Sequence, residues 1–157
     1  MRLGLDDIAS ALAMEADSIT LPPVGSPLGE DQVLAEIAAA GKKARFLSPL
    51  AGTVTSVNRD VEESPTLIWR DPYRRGWLLM IKPDQPGEVF RLYSGESAKR
   101  WFEGEAKKVA GLFTRRRPNR PKKEAPGEDP LTRKIVREHW EKLAEVLLGS
   151  PPFEVRG

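Results

Sequence analysis

The spacing of apolar and polar residues divides the chain into many short elements. Leu5, Ile8, Ala9 and Leu12 recur at helical intervals, predicting a short helix over residues 6–14 with Asp6 and Asp7 at its positive end. Residues 17–21 read as a strand halted by Pro22-Pro23, and residues 24–29 carry turn chemistry. Two strand-like stretches, 32–39 and 44–47, flank Ala40-Gly41-Lys42-Lys43. Glycine as the first central residue predicts a type II′ hairpin, with positive φ at Gly41 and Lys42 at the tip; a three-residue loop is the alternative. Alternation over 53–58 predicts another strand, 66–69 is β-prone, and 77–81 is the most apolar strand and so the central one. Residues 97–110 read as helix, ending near Gly111.

From residue 114 the pattern stops. Arg115-Arg116-Arg117-Pro118-Asn119-Arg120-Pro121-Lys122-Lys123 leads into Glu124-Ala125-Pro126-Gly127-Glu128 without a large apolar residue, the composition of an extended tether. A second helix is predicted from residue 130 to 148, with Asp129 as N-cap, Pro130 at N1, and Gly149 and Pro151 as its stop. Leu131, Ile135, Leu143, Val146 and Leu147 form its apolar face, with Val136 and Trp140 beside it. A lone helix of this length is marginal in water, so that face should dock on something. The expected organisation is a domain over 1–113, a basic linker over 114–129, an amphipathic helix over 130–149 and a tail over 150–157.

Composition narrows the functional classes. Of the 157 residues 39% are hydrophobic, enough for one packed core, and the 14 prolines and 13 glycines suit short strands joined by turns. Cysteine is absent, which excludes disulfides, thiol catalysis and thiolate metal sites and fits a reducing cytoplasm. No apolar run reaches membrane-spanning length. The net charge of +2 gives no general affinity for nucleic acid, and the basic run lacks interleaved aromatics, so a solvated tether is the preferred reading of it. His139 is the only histidine. It has no carboxylate at ligand spacing and no serine partner, so neither a metal site nor nucleophilic catalysis is expected. Trp77, Leu79 and Ile81 read as core, and Trp69 as packing that could also face a partner.

Several motifs then fall in order. Leu3-Gly4-Leu5-Asp6-Asp7-Ile8-Ala9, Leu21-Pro22-Pro23-Val24-Gly25, Ser48-Pro49-Leu50-Ala51-Gly52-Thr53-Val54 with Val57-Asn58, Ser64-Pro65-Thr66-Leu67-Ile68, and Asp71-Pro72-Tyr73 with Gly76-Trp77-Leu78 resemble, in register, the glycine cleavage H proteins. The resemblance runs from residue 3 to about 105 and leaves out the linker and the last helix; the family's first strands would precede Met1. It implies a mainly β fold with flanking helices: a hammerhead (barrel-sandwich hybrid) lipoyl-type domain, here with a C-terminal helical appendage. Such a domain catalyses nothing. It presents a lipoylated lysine, in an E-S-x-K motif, at a rigid hairpin tip to the enzymes of a multienzyme system.

Carried over position by position, Ala38, Ala39 and Gly41 stand where the family has that glutamate, serine and lysine. The expectation is therefore a divergent, non-lipoylated paralogue that serves as a binding or structural module among protein partners, with no cofactor. The alternative is an acyl carrier with lipoate on Lys42 or Lys43, serving glycine cleavage or a related one-carbon or sulfur-transfer system. Nucleic-acid association through the basic linker is a weaker third reading. Biotin is not expected, because no lysine lies between methionines. The C-terminal helix is the better contact candidate, docking back on the β domain, covering a strand edge, pairing with itself or binding another protein.

Overall fold

The computed structural model describes residues 1–92, 94–113 and 130–148. Among these residues seven strands form two antiparallel sheets: β1 (Arg2–Gly4), β2 (Ser18–Thr20), β3 (Pro27–Leu28), β4 (Val33–Ala39), β5 (Lys42–Leu47), β6 (Gly52–Val57) and β7 (Trp77–Pro83). One sheet has the order β1-β7-β6-β3, the other β2-β4-β5. The predicted central strand is central: β7 lies between β1 and β6, and its Leu78, Leu79 and Ile81 are fully buried. Apolar residues on both sides of one strand suit a position between core layers. Ile37, Leu50, Val54 and Val61 complete this interior.

The motif residues hold this frame through close contacts. The buried Asn58 carboxamide donates to the carbonyls of Arg75 and Trp77, both at 2.7 Å, and accepts from the Asp60 N–H, where it caps helix α1 (Arg59–Glu63). A Cβ at Gly52 would collide with the Lys82 carbonyl oxygen and come within 2.8 Å of Ile81. At Gly76 it would meet the Leu67 carbonyl at 2.7 Å. Glycine stands at both positions because two backbones approach too closely for any side chain.

Two predicted elements differ in type, and a third is present but longer. Residues 66–69, read as β-prone, are helix α2 (Thr66–Arg70). Pro65 opens it, and the helical turn buries Ile68 while Leu67 and Trp69 pack beside it on the core, so tertiary packing overrides strand propensity. The N-terminal helix is a 3-10 turn, Ala9–Ala13, entered through Asp6, whose carboxylate accepts from the Ile8 and Ala9 N–H groups at 2.9 and 2.7 Å. The helix predicted over 97–110 spans Gly95–Phe113 and is α3.

The last predicted helix is two: α4 (Pro130–Glu138) and α5 (Trp140–Leu148), interrupted at His139. Apolar spacing runs unbroken across that residue, so periodicity could not reveal the interruption. Asp129, the linker and the tail lie outside the described residues. The helix pair folds back on the domain, with α5 against the 3-10 turn, β5 and α3. Val136, Trp140, Leu143 and Ala144 are buried there, and the Trp140 indole N–H donates to the Leu12 carbonyl at 3.1 Å. Trp140 and Val136 are thus central to the docked face, not beside it.

Replacing Gly52 with alanine should lower the unfolding free energy by about 2 kcal/mol or more, because strand β7 must move to admit the methyl group. Urea denaturation followed by tryptophan fluorescence would measure the loss.

Candidate functional site at the hairpin

Strands β4 and β5 form the hairpin, pairing Ala39 with Lys42, Ala38 with Lys43, Ile37 with Ala44 and Glu36 with Arg45. Two residues remain for the loop, Ala40 at φ 50° and Gly41 at φ 78°. Positive φ at both central residues marks a type I′ turn, whose twist matches the strands. The predicted II′ turn is therefore shifted by one residue. Gly41 does take positive φ, but Lys42 is the first residue of β5 and not a tip residue. Ala40 accepts a conformation that costs an alanine about 1 kcal/mol, and the Asp17 carboxylate braces it by accepting its N–H at 2.7 Å.

The register sends the two lysines to opposite faces. Directly paired residues share a face, so Lys42 stands with Ala39, Ile37, Ala44 and Phe46 on the buried side. Lys43 stands with Glu36, Ala38 and Arg45 on the outer side. The Lys42 side chain is 35% exposed, and its ammonium lies 3.2 Å from the Glu141 carboxylate of α5. Lys43 is 51% exposed and donates to Glu36 at 2.7 Å, while Arg45 donates to the other oxygen of Glu36 at 2.8 Å. Those two hydrogen bonds, that from Lys43 first, hold the Glu36 carboxyl below the usual glutamate range.

The helix pair covers the Lys42 side. At its other end Arg137 reaches Glu15 with two guanidinium nitrogens, at 2.6 and 3.1 Å from one carboxylate oxygen. The hairpin thus offers two primary amines, one under a helix and one open. Among the described residues no cluster of histidine, cysteine and carboxylates could hold a metal, and no helix is long and apolar enough to cross a membrane. His139 is exposed. Trp69 is half-buried and packs against the core, whereas Trp77, expected in the core, is only half-buried at the start of β7. Sequence reading missed Glu36, Glu15, Glu141 and Asp17 as partners of the hairpin and helix. Cross-strand register could have supplied Glu36; nothing local points to the other three.

The family model of the glycine cleavage H-protein matches residues 1–105. The chain belongs to that family. A glycine cleavage system H protein of Legionella pneumophila (strain Corby) is 34% identical over 94 residues, covering 60% of this chain and 75% of that relative. One from Mycobacterium avium is 35% identical over 82 residues, covering 52% and 62%. Among solved structures, the glycine cleavage system H protein from Mycobacterium marinum is similar at 25% identity and a TM-score of 0.48, covering 52% of this chain and 64% of that one. As an H-protein family member the chain is a carrier-type or interaction domain and not an enzyme. It has the hammerhead lipoyl-type fold, mostly β with flanking helices. The helix pair α4–α5 falls outside the matched residues.

Replacing Ala40 with asparagine, which gives the Asn-Gly pair favoured by type I′ turns, should stabilise the H-protein-like domain by about 0.5–1 kcal/mol in urea denaturation. The Glu36 cluster sets a pH dependence. A carboxyl lowered in the folded state stabilises fully above its unfolded value, and that contribution is lost as pH falls through the folded one. Stability should therefore decline on acidification through and below the glutamate range, less steeply in Glu36→Gln, as compared by denaturation midpoints across pH.

Proposed function

We propose that this chain is an H-protein-family module that works without a lipoyl group, as a binding or structural part of a multiprotein assembly. The observation that carries this reading is the hairpin tip. Its two residues, Ala40 and Gly41, have no side-chain amine, and the motif resemblance carries the family's lysine onto Gly41. The tip therefore does not fit an amide-linked arm. The neighbouring amines are each engaged, Lys42 by Glu141 under α5 and Lys43 by Glu36. Protein partners of a multienzyme system, met in a reducing cytoplasm, go with this reading, the hairpin and the helix pair being the contact surfaces. The boundaries at 113, 129 and 149 are part of the same proposal.

A second reading has one observation in its favour. Lys43 faces the open side of the hairpin beside the tip, with half of its side chain exposed (51%), so an acyl group linked there would reach solvent. Lys42 suits a carrier role less well, because its face is covered.

The two readings separate by intact mass of the full chain purified from its native host. The unmodified sequence mass is the expected result. A lipoyl increment mapped to Lys42 or Lys43 would show the chain to be a carrier.

A further inference from the structure

Neighbouring residues on one strand point to opposite faces, so Lys42 and Lys43 are adjacent in sequence but meet different surroundings. Lys43 is on the open sheet face. Lys42 lies beside α5, its side chain partly screened, with its ammonium 3.2 Å from Glu141. The helix pair that supplies Glu141 is anchored at three points: Arg137 of α4 on Glu15, and in α5 the indole of Trp140 on the Leu12 carbonyl and Glu141 on Lys42. Leu143 and Ala144 of the same helix are buried. No other described carboxylate is paired with Lys42, so its charge answers to the helix alone.

We propose that the C-terminal helix pair is a partial gate on Lys42: while α5 is docked the amine is paired with Glu141 and screened on one side, and undocking makes it more accessible to acylating reagents. The relation is reciprocal. Acylation of Lys42 would remove the charge that Glu141 pairs with and so favour undocking, exposing the apolar face of Val136, Trp140, Leu143 and Ala144. In that reaction the ammonium first gives a proton to solvent. The neutral Nζ then attacks the carbonyl carbon of an activated acid, such as an acyl adenylate or thioester. The N–C bond forms as the bond to adenylate oxygen or thiolate sulfur breaks, its electron pair leaves with that group, and the second proton passes to solvent. The proposal concerns access to Lys42 and does not depend on whether the host lipoylates the chain.

The test uses the full chain with N-hydroxysuccinimidyl acetate as probe. Peptide mapping follows acetylation of Lys42 against Lys82, an exposed lysine of β7. In the wild type Lys42 should react several-fold more slowly than Lys82. An exposed ion pair shifts an equilibrium by up to about fivefold, so Glu141→Gln should raise the Lys42 rate by about two- to fivefold. Arg137→Gln, which loosens the far end of the helix pair without touching Lys42, should raise it as well. Conversely, Lys42→Gln should speed amide hydrogen exchange over residues 141–148, while Lys43→Gln should not. Equal rates at Lys42 and Lys82 in the wild type would overturn the gate. So would an effect of Glu141→Gln alone, which would reduce the device to a local ion pair. A lipoyl adduct on the host protein would refute the non-lipoylated reading and leave these rates, measured on unmodified chain, unaffected.

Discussion

The indole of Trp140 is 3% exposed and its N–H meets the Leu12 carbonyl, and the placing of everything around the hairpin depends on that contact. A tryptophan lost from such a site costs about 3–5 kcal/mol, whereas an exposed ion pair contributes about 0.2–1 kcal/mol. Burial of Trp140 with Val136, Leu143 and Ala144 therefore holds the helix pair down. The pairs Arg137–Glu15 and Lys42–Glu141 set its register. A helix fixed in this way defines which side of the hairpin is closed. It gives two adjacent lysines different surroundings and different partners.

The other sheet is held by close backbone contacts. Gly52 and Gly76 let backbones approach at distances no side chain permits, and Asn58 ties the end of β6 to the start of β7. These are residues of the family motifs, so the motifs that identify the fold are mainly packing instructions. The hairpin tip is under a different constraint. A type I′ turn asks only for positive φ, which Gly41 meets freely and Ala40 meets with help from Asp17. A rigid frame and a tip without an amine side chain are what the proposed contact role draws on.

Much of this was legible in the sequence. The apolar run at 77–81 gave the central strand, and Ala40-Gly41 with its flanking strands gave the hairpin. The turn type was missed because the glycine signal alone does not distinguish first from second central position. That single-residue shift moved Lys42 from tip to strand, and a one-residue step reverses a side chain's face. Helix α2 was missed because Ile68 and Trp69 are strand formers by propensity and helical only through what they pack against. The docking of α5 was anticipated as a need and not as a place. The partners of the helix pair, Leu12, Glu15 and Lys42, lie about a hundred or more residues away in the chain, beyond the reach of local pattern.

The central claim is that the C-terminal helix closes the inner side of the hairpin. Nuclear Overhauser contacts measure this most directly in the full chain, with the Trp140 indole proton as reporter. The account predicts contacts from the Trp140 ring to Leu12 and from α5 to β5, with an indole proton slow to exchange. An indole proton exchanging as freely as an exposed one, with no contact to any residue in 1–105, would contradict it.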